Sequence, residues 1–334
     1  MNIAVVTGAA GFVGTALVRR LVLDGMRVRA VVLPGDPFRE ALRDGTPDAT
    51  VEIVEADVTD YGALAPAFAG ATRVFHTAAL VHAWTSRECF HAVNVGGSCN
   101  VARAVLEHGV GRLVHVSTTD VFGLPDGDHV LDERSPFRPW HEPYADSKIA
   151  AERLLWKCRR DEGLPLTVVY PGWVYGPGDR AFFPALAAAI GSGAMTFWRR
   201  DVRLAWTYVD NLVDACVRAS TEPRAVGEGY LVYDTLDGPT LQDVCERIAT
   251  RIGARPPTRH VPYAAALLAA HALEGVWRAA GARTPPPLRT VDVKAFGLQW
   301  RFSNEKARCE LGWSPGIGTD EGMRRALDAC TSGG

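Results

Sequence analysis

Tyr144 and Lys148 stand four residues apart in the stretch Pro143-Tyr144-Ala145-Asp146-Ser147-Lys148, at the head of a helical run that ends near Glu162. Residues four apart on a helix share one face, so a phenol and an ammonium would project side by side towards one bound molecule. An ammonium that close favours the phenolate and is expected to lower the tyrosine pKa from about 10 towards the working range of a general acid or base. The same spacing arises by chance on solvated helix faces, so its meaning depends on the elements that position it.

Those elements begin at once. Ile3-Ala4-Val5-Val6 is short and apolar, as a strand buried on both faces should be, and no basic region or cleavage pattern marks it as a signal peptide. It runs into Thr7-Gly8-Ala9-Ala10-Gly11-Phe12-Val13-Gly14 and then a helical pattern through Leu17, Val18, Leu21 and Val22. Strand, glycine loop and helix in that order are the setting of a dinucleotide fingerprint. Gly8 would permit the tight turn, Gly11 the approach of backbone to pyrophosphate, and Gly14 the packing of helix on strand.

Further strands are predicted over Val28 to Leu33, Val51 to Glu55, Val74 to Ala79, Arg112 to Ser117 and Leu166 to Tyr170. An acid at the end of the second would bind the ribose 2′-hydroxyl of NAD, and an arginine would accept the 2′-phosphate of NADP. Val32 and Leu33 hold those slots, which leans the expectation towards NADP(H), with Asp36, Arg39 and Arg43 as substitutes or as ordinary loop residues. After the third strand, Asp57-Val58-Thr59-Asp60 offers an acidic turn to the adenine edge, or an N-cap for the helix near Tyr61. The fourth strand ends in Thr77-Ala78-Ala79, small enough for a cofactor to approach the backbone. A long helix is predicted from Cys89 to His108, and its pair Gly96-Gly97, next to Asn94, signals close packing. The fifth strand ends in Ser117-Thr118-Thr119.

A β-α unit repeated five times predicts an α/β fold, a Rossmann-type doubly wound parallel sheet whose ligands sit beyond the carboxyl ends of its strands. Residues 1–170 would form this dinucleotide-binding domain, with 207–235 returning to it. Residues 171–206 and 236–334 would form a smaller, interleaved substrate lobe. Within them a helix is expected over Val209 to Ser220, a strand over Tyr230 to Tyr233, and a helix capped by Thr240-Leu241-Gln242-Asp243 and running to Ile252.

Composition sets outer bounds. The chain has 334 residues, 47% hydrophobic and 22% charged, with a formal net charge of −2 and no basic run to mark a nucleic-acid or anionic-membrane surface, so any such contact would have to be local. Seven scattered cysteines read as reduced, mostly buried thiols of a cytoplasmic protein and against structural zinc. His82, His91 and His115 lack metal-ligand spacing and read as structural, so no metal is expected.

Taken in order, Thr7-Gly8-x-x-Gly11-x-x-Gly14, Asp57-Val58, His76-x-Ala78-Ala79, Asn94-Val95-x-Gly97, Ser117-Thr118 and Tyr144-x-x-x-Lys148 resemble the extended short-chain dehydrogenase/reductase superfamily. The likeness continues through Pro171-Gly172-Trp173-Val174-Tyr175-Gly176-Pro177-Gly178-Asp179, Tyr208-Val209-Asp210-Asn211 and Leu311-Gly312-Trp313-Ser314-Pro315, nearly end to end. It looks most like the 3β-hydroxysteroid dehydrogenase branch and its bacterial relatives that reduce β-keto acids. The resemblance implies Tyr144 as proton donor or acceptor, Lys148 as its pKa partner and ribose ligand, Thr118 as the hydroxyl that orients the substrate oxygen, and Asn94 as a supporting polar group. It implies a cofactor site from Gly8, Ala10, Gly11, Phe12, Val13, Gly14, Leu33, Asp57, Val58, Thr77, Ala78, Ala79, Ser117, Tyr144, Lys148, Pro171, Gly172 and Val174. A homodimer through the helices at Cys89 to His108 and Tyr144 to Glu162 would follow the family. Tyr170 departs from the pattern, standing where an arginine commonly precedes Pro-Gly. Leu204-Ala205-Trp206 replaces the Arg-Asp-Phe-like sequence of nucleotide-sugar members, which weakens the case for such a substrate.

Candidate substrate contacts are Val81, Trp84, Thr118, Trp140, Trp173 and Phe183, with Trp198 and Trp206 as further aromatics that could equally be core. A pocket this apolar suits a steroid, an acyl chain or a polyketide better than a diphosphate. The uncharged run from Val261 to Leu273 is too short to span a membrane and reads as a buried or lid helix, with peripheral membrane contact as the other reading. The leading expectation is an NAD(P)-dependent enzyme interconverting a ketone and a secondary alcohol. An epimerase or dehydratase that regenerates its cofactor in each cycle is the alternative, and a non-catalytic dinucleotide sensor the minor one.

Overall fold

The computed structural model describes residues 2–43, 50–81, 83–124 and 129–332; His82 lies outside them. The first part of the chain runs β1 (Ile3–Thr7), α1 (Phe12–Leu23), β2 (Arg27–Val32), β3 (Val51–Glu55), the short α2 (Tyr61–Leu64) and β4 (Arg73–His76). One continuous rod follows, made of α3 (Arg87–Phe90), a π-helical turn (His91–Gly96) and α4 (Gly97–Glu107), then β5 (Arg112–Val116), α5 (Pro143–Glu162) and β6 (Leu166–Pro171). The rest comprises β7 (Trp173–Tyr175), α6 (Phe182–Gly191), β8 (Trp206–Tyr208), α7 (Val209–Thr221), β9 (Gly229–Val232), α8 (Leu241–Ile252), α9 (Tyr263–Ala279), α10 (Thr290–Phe296), α11 (Glu305–Leu311) and α12 (Thr319–Ser332).

Seven parallel strands form the main sheet in the order β3-β2-β1-β4-β5-β6-β9, and β7 pairs with β8 in a parallel two-stranded ribbon. Strand order reverses between β1 and β4, which opens a crevice at their carboxyl ends. Alternate residues of β1 enter different cores, Ala4 and Val6 with α1 and α7 on one face and Val5 with α4 and α5 on the other. That double burial explains the unbroken apolar run. Returning from the ribbon, α7 packs on β5 and β6, and β9 pairs with β6 at Val168↔Gly229 to Pro171↔Val232. No described helix is long and apolar enough to cross a membrane.

Some boundaries differ from expectation for physical reasons. β4 stops at His76, three residues early, because Thr77 turns its hydroxyl onto Thr7 O (2.7 Å) and the chain peels away over the glycine loop. The rod starts at Arg87, where Ser86 caps it, and its π turn adds backbone that periodicity does not reveal. Of the glycine pair, only Gly97 is pressed: a Cβ there would fall 2.6 Å from Val58 Cγ2, whereas one on Gly96 would meet nothing within 4 Å. The Thr240–Asp243 capping box is present as drawn from the sequence.

Candidate active site

A cavity of about 1190 Å³ opens at the carboxyl ends of β1, β4, β5 and β6 and is roofed by α6, α9 and α10. That exceeds the roughly 300–1,000 Å³ of a typical small-molecule site, leaving room for a cofactor and a second ligand. At its floor Gly8 has φ +69°, and a Cβ there would lie 2.7 Å from Ala78 Cα. A Cβ on Gly14 would come within 2.2 Å of Gly8 O, and one on Gly11 within 3.1 Å of the same oxygen. Only glycine fits at positions 8 and 14, and no side chain caps α1, so its N-terminus is presented to the cavity as a pyrophosphate requires.

Tyr144 is set by the loop before it. Asp146 accepts from the amides of Trp140 (3.1 Å) and His141 (3.2 Å) and from Arg87 (3.0 Å), which fastens the loop to the first turn of α5, where Pro143 sits at the head. Trp140 donates from its indole to Asp120 O (2.7 Å) and stacks on Trp300 with ring centroids 5.3 Å apart. Thr118, two residues past the end of β5, is in extended conformation, and its hydroxyl accepts from Asp120 N (3.2 Å). Tyr144, Lys148, Thr118 and Asp120 all line the cavity.

The expected phenolate is not favoured here. Burial, and then the Asp120 carboxylate, push the Tyr144 pKa up, with the Thr118 hydroxyl acting in the opposite direction. Lys148 does not offset this because its ammonium turns inward, donating to Val116 O (3.0 Å) and lying 3.3 Å from His115 Nε2. Burial brings Lys148 down to about 8, against the pull of Glu152 one turn along α5. Burial likewise pushes Asp120 up to about 7, in a range where a carboxyl group can exchange a proton near neutral pH.

Beneath Lys148 lies a polar layer that spacing did not reveal. His115 is held neutral by burial and by Lys148, so Nε2 accepts from the ammonium and the proton resides on Nδ1, which has no partner. Glu152 is fully buried; its Oε2 accepts from Trp156 (2.9 Å) and Tyr170 (3.1 Å), while its Oε1 and the nearby Ser117 Oγ make no hydrogen bond. Tyr170, the departure noted at the end of β6, is thus the hydroxyl that holds the carboxylate. His115 read as structural in the sequence, and nothing there signalled that β5 would carry it under the lysine.

Several candidates lie off the wall. Asn94 sits in the π turn, bonded to Leu80 N (2.7 Å), Leu80 O (3.2 Å) and Ser147 Oγ (2.9 Å), and ties the β4 loop to α5 without reaching the cavity. Ala78 packs against Gly8, and Val58 against α4 beside Gly97. Asp57 folds onto Thr59, accepting from its amide and hydroxyl, both at 2.8 Å. Leu33 is 55% exposed. Phe183 faces the core and stacks on Tyr175, because Asp179 anchors the first turn of α6 and turns its neighbour Phe182 to the cavity instead. Trp206 is fully buried. The remaining candidates, from Gly8, Ala10, Phe12 and Val13 through Thr77, Ala79, Val81, Trp84 and Ser117 to Pro171, Gly172, Trp173 and Val174, line one cavity.

Long-range folding adds residues to the wall. Phe38 lines it under the Arg180 guanidinium, 3.6 Å above the ring, and Arg180 also donates to Ala10 O (2.8 Å). The earlier substitutes are engaged elsewhere: Asp36 with Phe38 N, Arg39 with Glu40 and Glu55, Arg43 with Glu40. From the far side come Glu274, Arg278, Arg283 and Arg289. Among the described residues no three His, Cys, Asp or Glu side chains gather where a metal ion could be held.

Fold and cavity together define a class, a Rossmann-type α/β protein in which Tyr144, Lys148, Thr118 and Asp120 line one cavity with the glycine loop. The chain belongs to the NAD dependent epimerase/dehydratase family, whose model matches residues 4–233. Its relatives put it in the extended short-chain dehydrogenase/reductase group, on the 3β-hydroxysteroid dehydrogenase-like branch, and it is an NAD(P)-dependent enzyme acting on CH–OH and C=O groups. It is 28% identical to 3β-hydroxysteroid-dehydrogenase/decarboxylase isoform 2 of Arabidopsis thaliana over 97% of this chain, and spans 61% of that protein's length. It is 30% identical to the 2-alkyl-3-oxoalkanoate reductase of Stenotrophomonas maltophilia, over 96% of this chain and 97% of that one. The crystal structure of gox2253 superposes with a TM-score of 0.80 at 26% identity, covering 100% of this chain and 99% of the other.

Proposed function

We propose that the protein interconverts a ketone and a secondary alcohol on an apolar substrate, of the steroid, β-keto acyl or polyketide kind. The observation that carries this reading is one cavity in which the glycine cradle, Tyr144, Thr118 and Lys148 meet walls made of Trp84, Trp140, Trp173 and Phe182. Bound on the cradle, the nicotinamide cofactor would supply or take up hydride at the carbonyl carbon. Tyr144, kept protonated by burial and Asp120, is suited to donate its proton to the substrate oxygen in the reducing direction. Thr118 would hold that oxygen, and Lys148 would turn from Val116 O towards the cofactor ribose. The names of the two relatives, one acting on a steroid and one on a 2-alkyl-3-oxoalkanoate, support the apolar class.

For the cofactor we favour NADP(H). No acid ends β2, and Arg180 stands over Phe38 beside Ala10, where a 2′-phosphate would find a cation.

Tyr144→Phe is expected to lower kcat by about 10²–10⁴-fold, the usual worth of a positioned acid–base group, with cofactor Kd nearly unchanged. Turnover at the parent rate would refute the assignment. Asp120 at the cavity wall, with its raised pKa, is the one observation that favours the epimerase or dehydratase alternative. That reading requires product to form with no net change in nicotinamide absorbance.

A further inference from the structure

In α10 (Thr290–Phe296) the residues Thr290 and Lys294 fall on one line along the helix, and Val291 and Ala295 on the next. The two lines meet different neighbours. Val291 and Ala295 line the cavity, whereas Thr290 and Lys294 reach the loop that leads into Tyr144. The Lys294 ammonium donates to Trp140 O (3.2 Å) and to Glu142 Oε1 (2.9 Å). The Thr290 hydroxyl lies between Glu142 Oε1 (3.0 Å) and Glu274 Oε1 of α9 (2.9 Å). The Lys294 and Glu142 side chains are each 14% exposed, so little solvent or salt screens the pair.

Between the two residues that Lys294 holds stands His141, whose φ of +62° lies in the left-handed region. A residue with a Cβ is strained there, and it stays only where its surroundings over-determine the backbone. Here Asp146 takes the amides of Trp140 (3.1 Å) and His141 (3.2 Å), and Arg87 donates to His141 O (2.6 Å). Lys294 and Thr290 add the grip from the C-terminal part of the chain. Glu142 is the N-cap residue of α5, yet its carboxylate caps no amide of that helix and is given over to α10 instead. Tyr144 follows two residues later.

We infer that Lys294 is a positioning residue for Tyr144, holding the turn Trp140-His141-Glu142 in its left-handed form so that the phenol stands where the substrate oxygen is protonated. An ordinary tie between two parts of a chain would need only the carboxylate of Glu142. The second bond, to the main chain of Trp140, is the one that fixes the backbone across His141. Precision matters at this point, because a displacement of about 1 Å at an acid–base group can lower the rate by about 100-fold. The role rests on Tyr144 as the proton donor of the reaction given above.

The test is steady-state reduction of an apolar ketone by the full chain and three variants, Lys294→Met, His141→Gly and the two combined, each assayed well below its melting temperature. Lys294→Met is expected to lower kcat by about 10- to 100-fold, with KM and cofactor Kd close to the parent's. His141→Gly, for which the left-handed turn is unstrained, should turn over like the parent and, combined with Lys294→Met, should recover most of the lost kcat. Should Lys294→Met not fold, Glu142→Gln/Lys294→Met leaves no unpaired buried carboxylate and carries the same expectation, with and without His141→Gly. A merely structural tie predicts a lower melting temperature with kcat per folded molecule unchanged, or a loss of kcat that His141→Gly does not relieve; either result overturns the proposal. Parent-like turnover in Tyr144→Phe would remove the reaction on which the role rests. Loss of turnover in Tyr144→Phe with parent-like turnover in the Lys294 variants overturns the positioning role alone.

Discussion

At the residue scale, Lys148 lies with Glu152, one turn along α5, in a buried polar layer behind Tyr144. The groups facing the ammonium are Val116 O and His115 on β5, His76 on β4, and Glu152 on its own helix, with Tyr170 of β6 holding Glu152. Only Glu152 raises the Lys148 pKa, and burial lowers it. Ammonium is lost as pH rises through that pKa, so Glu152→Gln should move the alkaline limb of the kcat profile to lower pH. Glu152→Asp should restore part of it. A profile that keeps its limb while the protein merely melts earlier would reduce Glu152 to a packing role. The sequence made Tyr144 and Lys148 legible because four-residue spacing is a property of the helix alone. It could not show the direction of the ammonium, which is decided by Val116 O and His115 on another strand, and so the expected fall of the tyrosine pKa became a rise. Phe182 and Phe183 make the same point: adjacent aromatics are interchangeable in a sequence until Asp179 fixes where the helix starts.

At the element scale, apolar runs between glycine or small-residue loops were enough to find the strands of the main sheet, and α5 and the capped α8 were found with their ends nearly in place. The π turn was not legible, since one widened turn leaves hydrophobic spacing almost untouched, yet it carries Asn94 to Leu80 and Ser147. Within the same rod, Gly96 and Gly97 give a paired test. Gly96→Ala meets open space and should stabilise by up to about 1 kcal/mol through helix propensity. Gly97→Ala drives a Cβ into Val58 and should destabilise by about 1–3 kcal/mol. Urea midpoints that move the same way for both would show that Gly97 is not packed as described.

At the scale of the whole molecule, the chain passes from the sheet to the ribbon and back, and contacts between the two meet over the glycine loop. Arg180, beside α6, reaches across to Ala10 in the glycine loop. A ligand that binds only the folded chain adds about 2.7 kcal/mol at one hundred times its Kd, so both nicotinamide cofactors should raise the melting temperature. Arg180→Ala should diminish the NADPH shift more than the NADH shift; an equal loss for both would sink the 2′-phosphate role.

The pairing of β9 with β6 has a further consequence, for synthesis. β6 lies inside the finished sheet, but its partner on one side is made only after the ribbon, α6 and α7. At roughly 5–20 residues per second the ribosome takes several seconds to deliver it. Throughout that interval the nascent chain presents the apolar edge Leu166–Pro171 with unpaired amides and carbonyls, the kind of edge on which chains join one another. The interleaving therefore leaves this edge open until the chain through Val232 has been made and closes the sheet.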